Sequence, residues 1–168
     1  LVDDSVMTID SEGRINEVYN YAVRILQREG REYARGGAGY IPDTDKVKDF
    51  HAWLIRPSGQ TKRYGNDDTM DVAGDLNDVY NEYRVRTIGA TTEADVGTVF
   101  AYSYSREERS VFSQDDWDFQ DELPVISSRY TLTLPSGWRA EGVTFNHAPI
   151  EPRVNGTSYT WELSNLPP

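Results

Sequence analysis

Hydrophobic and polar residues alternate with a two-residue period along much of this chain, most clearly inside the stretch Ser110 to Gly137. There Ile126, Ser128, Tyr130, Leu132 and Leu134 share one parity, and Val125, Ser127, Arg129, Thr131 and Thr133 take the other. Successive side chains of a strand point to opposite faces, so this pattern predicts a half-buried strand with Tyr130, Leu132 and Leu134 inward. Pro124 can open it, and Pro135-Ser136-Gly137 supplies the turn residues that end it.

The same period recurs on both sides of that stretch. Ser5 to Ile9 reads as a short opening strand, closed by the turn Asp10-Ser11-Glu12-Gly13. Arg14 to Gln27 reads as a long strand with Ile15, Tyr19, Tyr21, Val23 and Ile25 on its inner face, because a helix would scatter them. Gly30 to Gly39, with four glycines, reads as a loop. Val47 to Arg56 is apolar on both parities, Val47, Trp53 and Ile55 against Phe50, Ala52 and Leu54, which predicts a central strand covered on both sides. Pro57 to Gln60 turns it into Thr61 to Tyr64. Gly65 to Asn77 is irregular, with a helical turn expected around Asp71 to Leu76.

Val79 to Ala90 and Thr98 to Ser105 alternate again, the latter with Phe100, Tyr102 and Tyr104 inward, and Arg106 to Arg109 reads as a charged turn. Beyond Gly137, Trp138 to Phe145 and Thr157 to Ser164 complete the set, the last with Tyr159, Trp161 and Leu163 inward. Some nine to eleven strands and no long helix predict an all-β, antiparallel β-sandwich-like domain. Neither a repeat nor a low-complexity tract divides it, so residues 1–168 are expected to form a single domain.

Composition narrows the partners. The formal net charge of −11 disfavours phosphate backbones and anionic membranes, which need clustered Lys and Arg. No apolar run is long enough to span a bilayer. Cysteine is absent, which removes disulfides, thiolate nucleophiles and Cys-based metal sites from these residues. The start at Leu1 and the linker-like end Asn165-Leu166-Pro167-Pro168 suggest a piece of a longer protein.

Three kinds of candidate chemistry remain. Asp43 with Asp45, Asn66, Asp67, Asp68 and Asp71, and Asp115, Asp116 and Asp118 offer hard oxygen ligands of the type Ca²⁺ takes, but Asp43 to Leu54 lacks the Gly and Glu of an EF-hand loop, and solvated acidic loops explain the clusters. A pair of catalytic carboxylates would have to face one cleft, which neighbouring acids on one strand need not do. His51 and His147 are the only histidines, and no Gly-x-Ser-x-Gly elbow accompanies them. No catalytic residue, metal site or cofactor is therefore assigned. Asp115, Asp116, Trp117 and Phe119 form an acid–aromatic cluster that suits packing, contact with another domain, or a ligand platform.

Several motifs in order resemble a known family. They are Asp10 to Arg14, Arg24-Ile25-Leu26 before Glu29-Gly30, Tyr40-Ile41-Pro42, and the hairpin Ala52 to Gly59. Phe119-Gln120, Leu123-Pro124-Val125, Arg129-Tyr130, Leu132 to Pro135, and Trp161 with Asn165-Leu166-Pro167 complete the series. The series resembles the domain of unknown function 3857, which precedes transglutaminase-like domains in bacterial envelope and secreted proteins. The resemblance implies a non-catalytic accessory domain whose partner is a downstream transglutaminase-like domain bearing the Cys-His-Asp set. Its role would be to position or shield that domain or help present a peptide or cell-wall substrate, in a periplasmic or extracellular setting. A carbohydrate-binding module built on exposed aromatics is the alternative.

Overall fold

The structure, a computed structural model, describes residues 1–74, 82–109 and 114–168. Among these, eleven strands form: β1 (Val2–Ile9), β2 (Ile15–Arg24), β3 (Arg35–Tyr40), β4 (Asp45–Ile55), β5 (Thr61–Tyr64), β6 (Met70–Ala73), β7 (Arg84–Gly89), β8 (Val99–Glu108), β9 (Val125–Thr133), β10 (Arg153–Asn155) and β11 (Ser158–Leu166). Eight of them make one sheet in the order β10-β11-β9-β1-β2-β8-β4-β5, and β3-β7-β6 make a second. The expected all-β, sandwich-like class is what forms. One pair departs from the antiparallel rule, because β1 inserts parallel to β9 while pairing antiparallel to β2.

Register places one face of the large sheet inside. Ser5 lies opposite both Tyr19 and Tyr130, Met7 opposite Glu17 and Leu132, and Tyr19 opposite Tyr104. A one-residue slip would turn all of these outward, so the apolar pattern fixes the register. The inward residues divide into two clusters. Phe50, Leu54, Phe100 and Tyr102 pack with Ala38 and Ile88 of the small sheet, and Met7, Ile9, Ile15, Tyr130, Leu132 and Leu134 form the other. The opposite face carries hydroxyl and charge pairs, such as Thr131 with Thr160 and Arg129 with Asp4 at 2.6 Å.

Several local expectations change. The glycine-rich 30–39 stretch holds a 3-10 turn (Glu29–Tyr33) and then β3. Its glycines permit close approach, since a Cβ on Gly36 would come within 2.6 Å of the Tyr102 ring. In β4 a bulge between Lys48 and His51, with Asp49 at φ 51°, switches parity, so that Val47 joins Phe50, Ala52 and Leu54 on the inner side. Ile55 on the other face stays 37% exposed, so this strand is fully covered on one face only.

Arg106 to Glu108 continue β8 instead of turning, paired with Ile15 to Glu17. Trp138 to Phe145 is not a strand but part of an irregular connection. Met70–Ala73 forms a strand where a helical turn was expected, and Leu76, Val79 and Ser110 lie outside the described residues. At the entry to β9, Val125 is buried and Ile126 is 64% exposed, the reverse of the expected parity. There the Ile126 N–H donates to the Leu1 carbonyl and the Leu1 ammonium donates to the Pro124 carbonyl, so buried Leu1 closes this corner beside Val125.

Candidate interaction site

The acid–aromatic cluster sits on a segment that crosses the inner face of the large sheet just before β9. Trp117 is half-buried, and its indole N–H donates to Ser128 Oγ at 3.0 Å. Its ring lies 5.6 Å from that of Tyr130 and 6.3 Å from that of Tyr19. Tyr19 packs against the first apolar cluster and Tyr130 belongs to the second, so Trp117 is the side chain that bridges them. Asp115 accepts the Tyr130 hydroxyl at 2.8 Å. Asp116 and Asp118 are exposed, and Phe119 is half-buried. Thus Asp115 and Trp117 are brought together on one tyrosine, whereas Asp116 points its charge to water.

From Trp117 the aromatic contacts continue outward. Tyr130 lies 5.9 Å from Trp161, and Trp161 lies 6.1 Å from Tyr159. Trp161 and Tyr159 are half-buried. The result is a ribbon of five rings, Tyr19, Trp117, Tyr130, Trp161 and Tyr159, crossing β2, β9 and β11. Offset and edge-on ring pairs at such distances add stability beyond area burial, and partly exposed aromatics with polar atoms suit interfaces.

Beneath the ribbon lies a buried polar group that periodicity did not single out. Glu17 occupies the inward parity of Ile15 and Tyr19, accepts Ser5 Oγ at 3.1 Å, and lies 3.1 Å from Arg106 Nε without the alignment of a hydrogen bond. Burial pushes the Glu17 carboxyl above its usual range, against the opposing pull of Arg106. Arg106 also donates to the Gly39 carbonyl at 3.2 Å, which ties the large sheet to β3. An acid on an inward parity was the signal available in the sequence. Asp3 is the second such acid, with burial raising its pKa to about 6 beside the Tyr19 hydroxyl.

The other candidates are used locally. Asp45 accepts the Ile41 N–H and the Thr44 hydroxyl, Asp68 accepts the Gly65 N–H, and Asp71 accepts from Nε and Nη2 of Arg86 at 2.9 and 3.1 Å. These acids close turns and pair cations, and among the described residues no group of three or more His, Asp or Glu is placed to hold a metal ion. An open groove of about 550 Å³ beside the β4 bulge is lined by Lys48, Asp49, Asn66, Thr69, Asp71 and Arg86. Its cations are already paired, Lys48 to Glu107 at 2.6 Å and Arg86 to Asp71, and Asp49 accepts the Ser105 hydroxyl at 3.1 Å. His51 sits half-buried beside Trp53, and His147 is exposed on a loop.

The profile of the family described as "Domain of Unknown Function with solved-structure structure (DUF3857)" matches residues 11–168. The chain belongs to the DUF3857 family. No curated protein matches this DUF3857 chain. Among solved structures it is similar to one from Parabacteroides distasonis ATCC 8503, named "a putative protease", with a TM-score of 0.71 at 13% identity. The alignment covers 99% of the DUF3857 chain and 35% of the other, so the chain spans about a third of the solved protein that it matches. At that identity the likeness is one of fold. No helix among the described residues is long and apolar enough to cross a membrane.

Proposed function

We propose that this DUF3857 chain is a non-catalytic accessory domain of a larger protease-like protein, the catalytic residues lying in a neighbouring transglutaminase-like domain of the same polypeptide. The observation that carries this reading is the pairing of a whole-chain fold match with only a third of the matched protein's length. The site supports it, because the aromatic ribbon uses its polar atoms to hold the fold. Trp117 and Asp115 are bonded to Ser128 and Tyr130, and Glu17 faces Arg106. None of these groups forms a nucleophile–base pair of the kind acyl transfer requires. The domain's work is then to position or shield its neighbour or help present a peptide or cell-wall substrate, in the periplasm or outside the cell.

The test is turnover by the 168-residue chain alone on peptide, ester and glycoside panels. Background rates are expected. Turnover that disappears with Asp116→Asn or Asp118→Asn would overturn the reading.

A further inference from the structure

The inner face of the large sheet is not covered to its end. Val154 of β10 lies opposite Tyr159, and Tyr159 opposite Leu132, so Val154 continues an inward-facing row. Leu132 is 6% exposed, yet Val154 is 54% exposed. Among the described residues, the connection between β9 and β10 brings exposed apolar residues to this margin, and its contacts with the sheet centre on Ala140 and Gly142. Ala140 touches the second apolar cluster, and Gly142 lies against the Trp161 indole so closely that a Cβ there would be 3.2 Å from Nε1. On either side of that contact the chain turns its large apolar residues to water, Trp138 at 51% and Val143 and Phe145 both at 77% exposed. Thr144 Oγ accepts the Ile150 N–H, which fixes the turn that carries Phe145.

Single exposed hydrophobic residues are ordinary, but several on one segment at one sheet margin mark an interaction surface. Charge selects among occupants. From Trp138 to Val154 the segment holds Arg139 and Arg153 against Glu141 and Glu151, a balance of zero in a chain of net charge −11. Two copies brought together there would oppose two chains of like charge, and no surplus of Lys or Arg invites an anionic lipid surface. An uncharged, apolar face of a differently folded domain meets neither obstacle.

We infer that the Trp138–Val154 connection and the uncovered β10–β11 margin form the docking surface for the neighbouring domain of the same polypeptide, with Val143 and Phe145 as its anchors and Trp161 behind them. This rests on the accessory-domain reading above and adds the place of contact. Buried apolar and aromatic anchors at the centre of a contact carry most of its energy.

The test compares calorimetric melting of the full-length polypeptide with that of the 168-residue chain, each as wild type, Val143→Ser/Phe145→Ser, and Leu26→Ser. Leu26 is 71% exposed and far along the chain from this surface, so it serves as the control. In the full-length protein the DUF3857 domain is expected to melt at least about 3 °C higher than alone, an interdomain stabilisation of about 1 kcal/mol or more. The double variant should abolish that increment while leaving the isolated chain's melting temperature within about 1 °C, and Leu26→Ser should preserve it. No increment in the wild type, or an increment that survives the double variant, overturns the inference. Sedimentation showing an isolated-chain dimer that Phe145→Ser dissolves would also overturn it, by naming a second copy as the occupant. The accessory-domain reading fails by a different observable, turnover by the isolated chain, so the two failures are separable.

Discussion

Replacing Trp117 tests whether the two apolar clusters depend on one bridging ring. Full burial would make Trp→Ala cost about 3–5 kcal/mol, and half-burial lowers the packing share to about 2–3. The substitution also leaves Ser128 Oγ, at 1% exposure, without its donor, which adds about 1 kcal/mol. Trp117→Ala should therefore cost about 3–4 kcal/mol in urea unfolding. Trp117→Phe keeps ring contact with Tyr19 and Tyr130 and loses the N–H, so it should cost about 1–2 kcal/mol. A double-mutant cycle of Trp117→Phe with Ser128→Ala should return a coupling of about 1 kcal/mol. A loss below about 1 kcal/mol for Trp117→Ala, with no coupling to Ser128, would refute the bridging role and make Trp117 a free surface residue.

Two further outcomes follow from the strand register and from the buried acids. Leu132→Ala should cost about 2–5 kcal/mol and Thr131→Ala less than about 1 kcal/mol, since Thr131 faces the outer side beside Thr160. Equal losses in urea melts would contradict the register of β9. Asp3 has a folded pKa of about 6 against an ordinary 3.8, so its share of stability is complete below about pH 3.8 and is lost as pH rises through about 6. Asp3→Asn should therefore gain stability over wild type at pH 7.5 but not at pH 4. Because Asp3 is only partly shielded from water, the difference should be on the order of 1–2 kcal/mol. A pH-independent difference between the two proteins would contradict the burial of that carboxyl.

What the sequence disclosed follows from what a two-residue period can encode. Ile15, Tyr19, Tyr21 and Val23 in β2, Phe100, Tyr102 and Tyr104 in β8, and Tyr130 to Leu134 lie on the faces their alternation assigns. Period fails where geometry adds a residue or where a contact partner sets the backbone. The bulge at Asp49 moves Val47 to the other parity without changing any residue type. Gly36 reads as loop by composition, although its lack of a side chain is what lets β3 lie on Tyr102. Trp138 to Phe145 has strand composition but pairs with no neighbouring strand. The acid–aromatic cluster was visible as residues 115–119, but its division between Asp115 and Trp117, which hold Tyr130 and Ser128, and Asp116, which faces water, depends on β9 passing beneath it. Glu17 was legible only as an acid on an inward parity. Its partner Arg106 comes from a strand some ninety residues away, a separation that no local pattern records.

The central claim is that this domain assists chemistry performed elsewhere in its polypeptide. Steady-state peptide hydrolysis by three polypeptides tests it most directly: the 168-residue chain, the remainder of the full-length protein, and the whole. The account predicts no turnover by the chain, turnover by the remainder, and a lower KM or a longer active lifetime for the whole. Turnover by the chain alone, or a remainder whose kcat, KM and lifetime equal those of the whole, would contradict it.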